Sequence, residues 1–159
     1  AAVHSIAAGA WATLALACDL VVAAHSAAFL LPFAKIGLIP DTGCSWLVTQ
    51  RVGLARALGL AMTGHKLSAA QAADWGLIWS AVPDADFAAA VTTLAQQLAA
   101  MPTKALVRTR QAMLAAHTHS LEQQLSTEAG FMRELGRSAD YVEGVSAFLE
   151  KRAPRFTGE

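Results

Sequence analysis

Apolar residues fill the first half of the chain in short runs broken by glycine, proline or a single charge, whereas the second half reads as mostly helical. Residues 3–6 predict a strand, Gly9 a turn, residues 10–18 a short helix rich in Ala and Leu, and residues 20–24 a second strand. An apolar stretch at 29–33 leads into a loop between Gly37 and Gly43, followed by helices at about 44–50 and 55–63. Ser68-Ala69-Ala70-Gln71 has the form of a capping box, opening a helix that Gly76 stops, and residues 77–82 predict a further strand. From Asp84 onward four helices are expected, divided by Met101-Pro102-Thr103, Thr118-His119-Ser120 and Gly136-Arg137-Ser138. Strands interleaved with helices and then helices alone give an α/β fold with a helical extension, the boundary falling near Pro83.

With 55% apolar residues and twelve basic against twelve acidic side chains, the chain reads as globular and large enough to bury a core. Basic residues are scattered apart from Lys151, Arg152 and Arg155, so no stripe follows a phosphate backbone, and no nucleic-acid partner is expected. Asp19 and His25 interrupt the apolar run 14–28 short of the ~20 residues a bilayer requires, so no membrane partner is expected. Cys18 and Cys44 show no disulfide spacing and fit a reducing, cytoplasmic setting. No charged leader is visible, and because residues 1–6 read as a strand already in progress, an upstream part of the protein is expected.

Two constellations carry chemistry. Asp41 lies in Lys35-Ile36-Gly37-Leu38-Ile39-Pro40-Asp41-Thr42-Gly43, where the surroundings are almost wholly apolar. Partial desolvation is expected to raise its pKa toward usefulness as an acid and base, while its place ahead of a helix near residue 43 equally suits an N-cap. The small-residue turn Ala7-Ala8-Gly9-Ala10 feeds directly into a helix and can aim free backbone amides at a developing oxyanion; close helix-sheet packing asks for the same small residues.

In these two motifs the sequence resembles the crotonase superfamily, the enoyl-CoA hydratase/isomerase family acting on acyl-CoA thioesters. The resemblance continues through residues 14–20, through Thr63-Gly64-His65-Lys66-Leu67-Ser68-Ala69 with Ala73-Asp74-Trp75-Gly76-Leu77, and through Ser138-Ala139-Asp140-Tyr141-Val142-Glu143-Gly144 with Phe148 to Arg152. It implies that residues 1–83 form the C-terminal part of a crotonase-like ββα spiral and residues 84–159 a helical trimerisation and CoA-covering region. It further implies a homo-oligomer, trimer or hexamer, and no cofactor, since CoA is part of the substrate.

The resemblance places one oxyanion donor on the Ala10 amide, with Gly9, Trp11, Thr13, Phe33 and Pro40 at the substrate. Phe148 and Lys151, three apart and expected to share a helical face, would reach a bound CoA. Hydratases of the family use two glutamates at positions that here read Thr13 and Phe33, neither able to act as a general base. Asp41 stands where related isomerases carry their single carboxylate. The implied activity is therefore an acyl-CoA isomerase, with 1,2-epoxyphenylacetyl-CoA converted to oxepin-CoA as the leading reaction. The alternatives are an enoyl-CoA hydratase or Δ-enoyl-CoA isomerase of fatty-acid type, and a catalytically silent CoA-binding or scaffold protein.

Two departures bear on the pocket. Trp11 stands where a small residue is usual and would narrow or cover the acyl site, and Cys44-Ser45 replaces a commoner Gly-Gly or Gly-Thr. His117 and His119 are two apart and cannot share a helical face, so no metal pair is expected. Cys44 has no evident His partner and reads as a buried thiol, and Trp46, Trp75 and Trp79 read as core or pocket wall.

Overall fold

The computed structural model describes residues 1–159, which divide into two compact units, Ala1–Thr93 and Leu94–Glu159. In the first unit the strands are short and sort into two three-stranded sheets. Strand β1 (Ala2–Val3) pairs in parallel with β3 (Val22–Ala24), and β3 pairs in parallel with β6 (Ser80–Val82). The second sheet sets β2 (Ile6–Ala8) parallel to β4 (Ala28–Leu30), with Ile6 opposite Ala28, and β5 (Leu67–Ser68) antiparallel on the far side of β4.

The run expected as one strand at 3–6 is thus two strands in different sheets. His4 and Ser5, both exposed, break it, because a polar pair facing water cannot continue an apolar ladder. Both β3 and β4 consist largely of buried Val, Ala and Phe, the pattern of strands covered on two faces.

Helix α1 (Ala10–Leu16) follows β2, and α3 (Ala69–Asp74) follows β5. Fully buried Ala12, Ala69 and Ala72 put no bulk between these helices and the sheets, and Leu16, Val21, Leu67 and Leu77 fill the space between. Ser68 caps α3 by accepting the Gln71 amide at 3.3 Å, but the Gln71 side chain makes no return bond to the Ser68 amide, so the expected capping box is only half formed. Helix α2 (Cys44–Thr63) consists of two helical arms that meet at a kink, where Gly53 takes the non-helical angles φ 77°, ψ 165°, in keeping with the two helices expected there.

Helix α4 (Phe87–Ala99) runs across the sequence boundary between the units. The second unit contains α5 (Thr103–Ala115), α6 (Leu121–Leu135) and α7 (Ala139–Glu150), with starts set as the breakers predicted. Ser120 and Gln123 form a reciprocal capping box, and Ser138 accepts the Tyr141 amide at 3.1 Å. An Arg108–Glu134 ion pair at 2.7 Å joins α5 to α6.

Beyond α7 the chain folds back along that helix. Asp140, only 5% exposed, accepts the amides of Thr157 at 2.7 Å and Gly158 at 2.9 Å, and its own amide donates to the Glu159 carbonyl. Glu143 meets Arg152 through two bonds of 2.6 and 2.8 Å and also takes the Arg155 amide. Tyr141, Val142, Val145, Phe148 and Leu149 leave an exposed apolar stripe on α7. No helix is long and apolar enough to cross a membrane.

Candidate functional site

Strand β2 delivers the chain to Gly9, whose amide donates to the Leu30 carbonyl at 2.9 Å and whose backbone sits at φ 57°, ψ −128°. A Cβ at this position would meet only the Phe33 ring, at 3.7 Å, which is ordinary contact. Glycine is therefore required by torsion rather than by space. The reversal turns Ala10, the first residue of α1 and an exposed one, so that its amide has no acceptor within the helix.

The second element begins as β4 ends. Phe33–Ile36 form a 3-10 turn that Gly37 closes at φ 76°. Phe33, at the end of the apolar stretch 29–33, opens this turn, because Pro32 supplies no amide to extend the ladder and its carbonyl accepts the Lys35 amide. Its buried ring packs beside Gly9.

Asp41 follows in an exposed loop with Ile36, Leu38 and Ile39 also open to solvent, which corrects the expected desolvation: apolar neighbours in sequence do not enclose a loop that packs nothing over itself. The N-cap reading is corrected as well. Gly43 is the N-cap of α2, and no side chain caps it. Asp41 contributes its carbonyl, which accepts the Cys44 amide at 2.9 Å and the Thr42 hydroxyl at 2.8 Å, leaving the carboxylate outside these bonds. Thr42 adopts a left-handed φ of 54°, a strained choice for a β-branched residue.

Between the two elements lies a buried polar pair. Thr13, expected at the substrate, is 1% exposed, so it stands behind the turn rather than lining it. Its hydroxyl lies 3.5 Å from the Gly9 carbonyl, and Cys44 at the start of α2 is likewise 1% exposed. Burial pushes the Cys44 thiol up and the Asp41 charge adds to this, against the opposing effect of the Thr13 hydroxyl, so Cys44 is a protonated thiol.

Trp11 is 74% exposed, lying along a shallow groove with residues 1–7 and Leu14, so it closes over nothing within this chain. Pro40 helps to line an apolar cavity of about 290 Å³ with Leu31, Ile39, Cys44, Val48 and Met62. Phe148 and Lys151 belong to the second unit. Phe148 is 81% exposed at the end of α7, but Lys151 is the C-cap at φ 55°, outside the helix, so the expected shared helical face does not form.

One residue of structural weight was not anticipated. Arg51 on α2 donates to the carbonyls of Leu16, Cys18 and Leu77, capping the end of α1 and tying it to the turn after α3. Its half-buried guanidinium has its pKa lowered by that burial, with Asp19 opposing. A lone arginine in a helical pattern gives no local sign of such a role; the only signal was the unpaired carbonyls that every helix end leaves.

The family model described as enoyl-CoA hydratase/isomerase matches residues 1–159. The chain is 52% identical over 158 residues to a 1,2-epoxyphenylacetyl-CoA isomerase of Escherichia coli, covering 99% of this chain and 60% of that protein. It is 51% identical, over 99% of itself and 62% of the relative, to a protein of Rhodobacter capsulatus named "Probable enoyl-CoA hydratase". The crystal structure of an enoyl-CoA hydratase from Polaromonas sp. JS666 superposes with a TM-score of 0.91 at 35% identity, covering 96% of this chain and 60% of that one. The chain therefore spans about 60% of the length of the curated relatives it matches.

Proposed function

The chain belongs to the enoyl-CoA hydratase/isomerase family and carries its crotonase fold, and from that footing we propose that the protein is an acyl-CoA isomerase working through the Ala10 amide and the single carboxylate of Asp41. The observation that carries the reading is what stands at the two positions where the family's hydratases hold glutamates. One is Thr13, buried with its hydroxyl turned toward Gly9; the other is Phe33, a buried ring. Adding water to a double bond needs a base to activate the water and an acid on the same face, and neither side chain supplies one. An isomerisation needs only a group that takes a proton from one carbon and returns it to another. Asp41, with its carboxylate uncommitted to the helix, is suited to that task.

In the proposed reaction the thioester oxygen of 1,2-epoxyphenylacetyl-CoA accepts the Ala10 N–H, which stabilises charge delocalised onto that oxygen. Such a donor is typically worth roughly 3 to 4 kcal/mol in the transition state. Asp41 moves the proton as the epoxide-bearing ring expands to the oxepin, and substrate and product have the same atoms, so no oxidant, reductant or added cofactor enters. The name of the E. coli relative supports this choice of acyl group. The exposed stripe on α7 is assigned to contact between subunits of a trimer or hexamer, and the protein to the cytoplasm.

The test is turnover by the full-length protein of an acyl-CoA panel in heavy water, read by mass spectrometry. Conversion of the aryl epoxide to a product isomeric with it, lost in Asp41→Asn, supports the proposal. Turnover of a plain enoyl-CoA alone, or an unimpaired Asp41→Asn enzyme, overturns it.

A further inference from the structure

The chemistry assigned to Ala10 and Asp41 demands that two separate segments hold a fixed relation, and each of them leads into a helix. Ala10 is the first residue of α1, and Asp41 stands just ahead of α2, its carbonyl accepting the Cys44 amide at 2.9 Å. The two helices pack against each other. Both run away from the site, so Leu16 on one and Arg51 on the other lie roughly 10 Å along from it, at 1.5 Å per residue. There Arg51, on the arm of α2 that precedes Gly53, reaches across to the end of α1. Its guanidinium donates to the carbonyls of Leu16 and Cys18, the latter at 3.0 Å, and to that of Leu77, also at 3.0 Å.

We propose that Arg51 is a positioning residue, which, by tying the far end of α1 to the helix that Asp41 precedes, holds the Ala10 amide in register with the Asp41 loop. The inference rests on the acyl-CoA reading above. Helix α1 has seven residues, of which Ala12, Thr13 and Leu16 are buried. So short a helix is not stable by itself, and three small or medium side chains are all that seat it. Its front end hangs from Gly9, whose amide is bonded to the Leu30 carbonyl but whose torsions no Cβ restricts. A rod fixed at one flexible end swings, and a shift of about 1 Å at a reacting group can cost on the order of a hundredfold in rate.

Capping alone gives no reason for the donor to come from α2. Elsewhere the chain closes helical turns locally, with left-handed glycines at Gly37 and Gly64. Helix α1 has neither device: its C-cap is Ala17 in the right-handed region, and its last turn holds no basic residue. The carbonyls of Leu16 and Cys18 are met instead by a charged fork carried on another helix, and the third bond of that fork anchors it to the turn after α3. A planar fork with several fixed donors sets distance and orientation as well as satisfying acceptors.

Methionine and lysine separate positioning from stability, because Arg51→Met keeps an apolar stem and loses all three bonds, whereas Arg51→Lys keeps the charge but not the fork. In the full-length protein, at a temperature where the variants are folded, Arg51→Met is expected to lower kcat about tenfold or more with KM within about twofold. A merely structural arginine would lower the melting temperature and leave the kcat of folded enzyme unchanged. The thioester carbonyl stretch of bound, isotope-labelled phenylacetyl-CoA reads the Ala10 donor without turnover. It should move to lower frequency on binding to the wild type, less so with Arg51→Met, and by an intermediate amount with Arg51→Lys.

An Arg51→Met protein that melts earlier yet matches the wild type in kcat and in the carbonyl band overturns the inference. Should Arg51→Met not fold, an Arg51→Lys band equal to that of the wild type overturns it in its place. A wild type that shifts the band but turns over no acyl-CoA sinks the isomerase reading and leaves the band comparison to decide the role of Arg51. A wild type with which the band does not move, whether or not the thioester binds, overturns both.

Discussion

The carboxylate of Asp140 holds the amide of Gly158 at 2.9 Å, clasping the end of the chain to the first turn of α7. The second oxygen takes the Thr157 amide, so a buried charge at a helix N-terminus is satisfied by two backbone donors that have no other partner there. Asp140→Ala removes both bonds and is expected to destabilise the second unit by about 2 to 4 kcal/mol. The loss should appear as a lower denaturant midpoint and as faster carboxypeptidase trimming of the last residues. Unchanged trimming would show that the clasp does not hold the tail.

Glu143 makes the fold of the tail sensitive to acid. Its bonds to the Arg152 guanidinium and the Arg155 amide lower its pKa from 4.5 to about 2. A depressed carboxyl stabilises the folded chain above its ordinary value, and that contribution fades as the pH falls from about 4.5 through about 2. Carboxyl chemical shifts should place the Glu143 titration well below that of an exposed glutamate. Protection of the Arg155 amide should fall over the same window, and Glu143→Gln should abolish that pH dependence.

Arg51→Met should act on α1 from its C-terminal end. Three carbonyls lose a charged donor, and the expected cost is about 2 to 4 kcal/mol in denaturant unfolding with an unchanged m-value. Because Leu16 and Cys18 are among the three, hydrogen exchange should quicken at the C-terminal turn of α1 before it does in β4. Uniform quickening would place the effect in global unfolding alone.

Gly9→Ala tests the torsional demand at the turn. The added methyl meets only ordinary contact with Phe33, so the expected loss of about 1 to 3 kcal/mol comes from φ 57° itself. Turnover should fall with it, because relaxing Gly9 swings the Ala10 amide. A variant as stable as the parent would mean that alanine is tolerated in that conformation.

The helical half was legible because its signals are local: Ser120 and Ser138 each precede an amphipathic run and accept the amide three residues on. The strands were harder to read. Residues 3 and 6 belong to different sheets, and β5 spans two residues, so neither leaves a periodic trace. At the site, Gly9, Ala10 and Asp41 stood out by composition and by likeness to the family. The exposure of Asp41, the withdrawal of Thr13 behind the turn and the reach of Arg51 across to α1 are tertiary facts that no window of sequence contains.

The bend at Gly53 has a geometric consequence for the apolar cavity beside Pro40. A straight α-helix would carry Cys44 and Met62 about 27 Å apart along its axis, at 1.5 Å per residue. Both residues line a single cavity of about 290 Å³. The two ends of α2 therefore reach one cavity by way of the turn at Gly53, whose angles are φ 77° and ψ 165°. A substitution at position 53 that let the two arms fall into line would erase the cavity while leaving every one of its walls chemically intact.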